Sequence, residues 1–271
     1  MKHGWIVTTI LFVFLGLPGL TPGAHDSQTL EQKITGADGA PMVLIPSGEF
    51  LMSNYYSRDP QGKGLHTVNV DAFYMDIYEV TISRYLFYLR SAQRQEPKIW
   101  TQPNLPKSEN RPVAEVSWYD AQAYCEFYGK RLPTEAEWEK AGRGTDGRIY
   151  PWGNRRPSGG QYSQYWYVDG TRVSKARGTM EIGRNEGGKS PYNVHDLSGN
   201  VAEWVADWAA IDHDQESPRD NPKGPSKGDF KMIRGGSHPL EVGILRLNER
   251  FMCPPATRFT TVGFRCAQEA R

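Results

Sequence analysis

A chain of 271 residues with 32 Lys+Arg against 31 Asp+Glu has room for one large domain or two small ones, and no charge bias toward nucleic acid. Charged residues at 23% and hydrophobic ones at 38% exclude a disordered chain, and a mean hydropathy of -0.62 with a single long apolar run excludes a polytopic membrane protein. Its 28 Gly, 19 Pro, 8 Trp and 14 Tyr point to short elements joined by ordered loops and pinned by large aromatic side chains.

Lys2 precedes an uncharged run from Trp5 to Leu20, the pattern of a secretory signal. That run is short for a bilayer span of ~20 residues, and Pro22 sits poorly for a cut after Ala24. Two fates stay open for residues 1–24: a cleaved signal peptide, or a retained anchor with Lys2 inside. Either one puts the body outside the cytoplasm, periplasmic or otherwise extracytoplasmic, and in touch with the membrane only through residues 5–20. Residues 25–40 show no apolar periodicity and form a linker.

From Pro41 onward no linker and no repeat divides the chain. MVLIPSGEFLM predicts two strands around a turn at Pro46–Gly48, and VNVDAFYMDIYEV a strand pair around Asp71. Thr81 caps a helix whose apolar face is Ile82, Tyr85, Leu86 and Leu89. Ser117 opens a second helix with Asp120 at the capping-box position and Gly129 as its stop. Thr134 opens a third, with Glu137 three places on. Beyond Gly142 no long helix is expected, and Asp207–Gly228 has the polar, Pro-rich composition of a surface loop. The sum is one α+β domain with heavy loop content.

Arg131, Arg234 and Arg265 lie in apolar, aromatic strings and need carboxylate or carbonyl partners if buried, with Glu135, Glu137 and Glu203 as candidates. Trp118, Trp138, Trp152, Trp204 and Trp208 are core pegs or the walls of a binding cage. Tyr162, Tyr165, Trp166 and Tyr167 form either a strand that buries alternate rings or a surface for a protein partner.

MVLIPSGEFLM, FYMDIYEVT, GKRLPTEAEW, YPWGN, DLSGNVAEW, MIRGGS and VGFRCA follow one another in the order found in the sulfatase-modifying-factor family. The chain resembles the formylglycine-generating-enzyme-like domains of that family over residues 41–269. The resemblance implies their variant of the C-type-lectin-like fold. It also implies a disulfide between Cys125 and Cys266, which leaves Cys253 as a free thiol.

Family enzymes oxidise a substrate cysteine with oxygen and copper held by two cysteines that follow the GGS motif. Those positions fall on Leu240 and Leu245, which cannot hold copper(I), so no copper is expected. His238 follows GGS where an aromatic residue is usual, and Ala202 replaces a usual tryptophan, a sign of a remodelled groove. The family's calcium site falls on Asp196, Gly199, Val201 and Glu203, two carboxylates and two carbonyls suited to a structural calcium ion.

Two functions stay open. One is an exported, non-catalytic accessory or binding module with a protein partner, such as a periplasmic subunit of a membrane complex. The other is an oxidoreductase or modifying enzyme without copper–thiolate chemistry, with Ser237, His238 and Glu203 as its candidate residues, acting on a peptide or small molecule.

Overall fold

The computed structural model describes Met1 and residues 30–54, 64–95, 108–157, 168–169, 172–173, 178–209, 217–237 and 245–270. Two four-stranded sheets carry the fold. The first has the order β1 (Lys33–Thr35), β2 (Pro41–Ile45), β5 (Phe73–Asp76), β12 (Ala267–Glu269), all antiparallel. The second has the order β10 (Arg250–Cys253), β9 (Lys231–Arg234), β8 (Ala202–Trp208), β11 (Val262–Gly263), with β11 parallel to β8. A hairpin of β3 (Gly48–Ser53) and β4 (Leu65–Val70) and a small pair, β6 (Val168–Asp169) and β7 (Arg172–Val173), stand apart. The strands expected on either side of Pro46–Gly48 and of Asp71 are present, but they do not pair across those turns, because β2 pairs with β5 and β3 with β4.

The three helices begin where their caps predict. Thr81 caps α1 (Ile82–Ser91), and complete capping boxes open α2 (Trp118–Phe127) at Ser117/Asp120 and α3 (Glu135–Arg143) at Thr134/Glu137. The buried stripe of α1 is Tyr85, Tyr88 and Leu89, whereas Ile82 and Leu86 stay half-exposed. Tyr88 joins because Tyr124 and Phe127 of α2 meet its ring at 5.2 and 5.3 Å between centroids. The loop expected over Asp207–Gly228 starts later than its composition suggests. Asp207 and Trp208 end β8, and Asp207 is buried.

One apolar cluster joins the first sheet, the hairpin and α3 around Trp138; a second joins α1 and α2 to the second sheet around Trp204. The Cys125–Cys266 disulfide lies inside the second, and Cys253 is free, as the resemblance implied. Gly263 is fixed by crowding: a Cβ there would meet the Val113 carbonyl oxygen at 2.3 Å.

The interior also holds charge. Lys130 Nζ bridges Asp38 and Asp76 at 2.6 and 2.8 Å. Arg131 pairs with Glu137, and Arg234 with Glu135 and Glu139. Glu139 accepts hydrogen bonds from Ser53 and Arg143 as well; burial raises its pKa, but Arg143, Arg234 and Arg250 outweigh that and hold it below the ordinary value.

Asp207 accepts the Glu135 backbone N–H at the start of α3, and burial, followed by the nearby Glu135, pushes its pKa up to about 8. A raised carboxyl means that the folded state keeps a proton which the unfolded chain gives up above its ordinary pKa. The stability this supplies is whole below pH ~4 and is lost as the pH rises toward 8, at no more than ~1.4 kcal/mol per pH unit. Urea midpoints at pH 5, 6.5 and 8 should therefore fall for the natural chain relative to Asp207→Asn. Parallel curves would refute the burial assignment.

Candidate functional site

The motifs DLSGNVAEW, RGGS and GFR converge at one end of β8 and β9. Asp196, Gly199 and Asn200 take φ of 60°, 99° and 61°, a tight turn that glycine and short polar side chains tolerate. Gly199 N–H donates to the Gly235 carbonyl at 2.9 Å, which ties this turn to RGGS. Gly235 has φ 92°, and a Cβ on it would lie 3.1 Å from Trp138 and 3.2 Å from the Leu197 carbonyl, so the motif needs glycine there.

Beneath the turn lies Arg265, fully buried. It donates to Glu203 through Nε at 2.7 Å and Nη2 at 2.6 Å, and to the carbonyls of Asp76, Ile77 and His195. Glu203 accepts Trp138 Nε1 as well, at 2.9 Å. The sequence's candidate acid is thus held in a bidentate ion pair.

Glu79, which sequence reasoning missed, completes the cluster. It accepts Asn200 Nδ2 at 2.8 Å and the Val201 N–H at 3.3 Å. Its signal in the sequence was an acidic residue inside the apolar string IYEVT. Burial, then Asp196 and Glu203, raises its pKa well above the ordinary range, and burial lifts Asp196 to about 6. Glu79, Asp196 and Glu203 face a single guanidinium, and that surplus of negative charge can be met by protons or by a cation.

The expected calcium ligands can be tested on this geometry. Asp196 and Glu203 offer hard oxygens beside surplus negative charge, which fits calcium. Glu203 is shared with Arg265, and among the described residues no three His, Cys, Asp or Glu side chains form a metal-binding group. A calcium ion here would therefore rely on the carbonyls of Gly199 and Val201, as the resemblance implied.

Ser237 is buried, and no base is hydrogen-bonded to it among the described residues. Leu245, where the resemblance places the second family thiol, is fully buried against Tyr150, and its carbonyl accepts Ser198 Oγ at 2.7 Å. Cys253 lies on β10, half-buried. His195, the other histidine of this end, is buried and packs on Tyr78, with its pKa lowered by burial. His238, Leu240, Tyr162, Tyr165, Trp166 and Tyr167 lie outside the described residues.

The model of the sulfatase-modifying factor enzyme 1-like domain matches residues 27–270. The chain belongs to that family. It is 39% identical to the formylglycine-generating enzyme of Thermomonospora curvata, over 84% of this chain and 93% of that protein. It is 29% identical to the inactive C-alpha-formylglycine-generating enzyme 2 of Mus musculus, over 84% of this chain and 86% of that one. Among solved structures, PvdO from Pseudomonas aeruginosa superposes with a TM-score of 0.74 at 23% identity, covering 90% of this chain and all of that one. The family fold expected from the motifs is the fold found.

Proposed function

We propose that this family member is a non-catalytic accessory or binding module that works outside the cytoplasm. The observation that carries this reading is Leu245, an apolar side chain sealed in the core where the family's chemistry requires a thiolate. Glu203 adds support: a carboxylate bound on both oxygens by Arg265 and Trp138 is not free to act as a base. That an inactive relative exists in Mus musculus agrees with a scaffold that outlives its chemistry. The engagement of Glu203 also weighs against the alternative of an enzyme with different chemistry, since it is one of that reading's candidate residues.

In this reading Tyr162, Tyr165, Trp166 and Tyr167 supply aromatic anchors for a protein partner. Asp196, Gly199, Val201 and Glu203 hold a structural calcium ion, and residues 1–24 direct export or anchor the chain to a membrane complex.

Native purification from detergent-solubilised membranes tests the reading. The expected result is a co-purifying protein, calcium as the sole stoichiometric metal, and no conversion of a cysteine-containing sulfatase peptide when copper and oxygen are supplied. Recovery of free monomer alone, stoichiometric iron or copper, or turnover of the peptide would overturn it. Intact mass reports whether residues 1–24 remain.

A further inference from the structure

At the far end of β8 and β9 from Glu203 and Ser237, a groove of about 470 Å³ opens between α2, the α2–α3 connection and the β4–β5 turn. This is the scale of a small-ligand site, ~300–1,000 Å³. Trp118 and Trp208 form its floor, stacked with 6.3 Å between centroids, and Trp208 is half-exposed. Lys231 belongs to that floor and is only 3% exposed. Its ammonium donates to the Ala206 carbonyl at 2.6 Å, lies 3.8 and 3.9 Å from the two rings, and has the Asp207 carboxyl as its electrostatic partner. That charge is satisfied within the protein, so a ligand meets indole surface rather than the ammonium.

The rim carries the opposite sign. Asp71, Glu126, Glu137 and Glu269 line it, against Arg131 and Lys223. Arg131 bonds Glu137 at 2.6 Å and Glu269 at 2.7 Å, one guanidinium for two carboxylates. Asp71 and Glu126 are exposed, and their hydrogen-bond partners are neutral amides, Asn221 at 2.9 Å and Gln122 at 2.6 Å. Neither is neutralised by an ion pair among the described residues. Lys223, exposed, is the remaining rim cation.

We propose that this groove is a second binding site, for a basic side chain of a peptide, with the aliphatic stem along Trp208 and the charged head at Asp71 and Glu126. Charge complementarity selects the occupant, because the rim holds twice as many carboxylates as cations while the floor is aromatic. Arginine and lysine each join an apolar stem to a cationic head, which suits both surfaces at once. Hydrogen bonds from such a head to carboxylates belong to the strong, charge-assisted class. An anion would face the same carboxylates and is disfavoured. The inference is independent of the proposed function, because it uses none of the residues that the latter rests on.

Calorimetric titration and tryptophan fluorescence of the full chain test it with capped tripeptides Gly-Xaa-Gly. Xaa is arginine, lysine, the uncharged isostere citrulline, or glutamate. The expected result is saturable binding of a basic peptide at least fivefold tighter than the citrulline or glutamate peptide, weakening with salt. Arginine binding best assigns a guanidinium, and lysine binding best assigns an ammonium. Glu126→Gln, on an exposed side chain, should weaken binding at least threefold with the melting temperature unchanged, and Lys223→Glu should tighten it. Equal affinity for the citrulline peptide, preference for glutamate, no saturable binding, or an unaffected Glu126→Gln or Lys223→Glu variant would each overturn the assignment.

Discussion

Arg265→Met should lower the unfolding free energy by about 3–5 kcal/mol, the cost of breaking a buried pair from one side. The side chain is fully buried and donates to Glu203 and to three carbonyls, those of Asp76, Ile77 and His195. Its loss removes the guanidinium that Glu79, Asp196 and Glu203 share, so further protonation or a bound cation must offset the charge. The double variant Arg265→Met, Glu203→Leu should recover part of the loss, because the introduced thioether then packs against an apolar side chain instead of a lone charge. Urea denaturation at fixed pH measures both. If the single and double variants were equally unstable, the ion pair would not be what these residues contribute.

Disulfide removal comes next in size. Cys125 and Cys266 are 141 residues apart, and closing so long a loop nominally stabilises by up to ~5 kcal/mol through the unfolded chain, with ~2–5 kcal/mol usual in practice. Cys125→Ala, Cys266→Ala should therefore lower the denaturant midpoint while its slope steepens, because the open unfolded chain exposes more surface. Both sulfurs sit in the apolar core, so reductant acts on the native protein only through opening. An unchanged midpoint would show that native strain cancels the constraint.

Local rules carried much of the fold. The boxes at Ser117/Asp120 and Thr134/Glu137 are written in four consecutive residues, and the helices start there. Pairs such as Arg131–Glu137 and Arg265–Glu203 were foreseeable because an arginine in an apolar string needs a carboxylate. Glu79 and Lys130 were not legible, since their partners lie on distant segments and no spacing signals them, and of Glu139's partners only Arg143, one helical turn on, is local, whereas Ser53 and Arg234 are not. The tryptophans resolve both ways. Trp138 and Trp204 are core pegs, while Trp118 and Trp208 enclose the chain's own Lys231.

The first sheet places β12 against β5, and the second lays β11 along β8 as its parallel neighbour. Both pairings join segments far apart in the chain, so the second sheet is incomplete until Gly263 is available and the first until Glu269. Such high contact order makes folding slow, because long loops must close before their contacts reward them. While synthesis is still under way, the edges of β5 and β8 lack their late partners and can pair with another molecule. The span between β5 and β12 is thus the interval during which a holding chaperone would matter most.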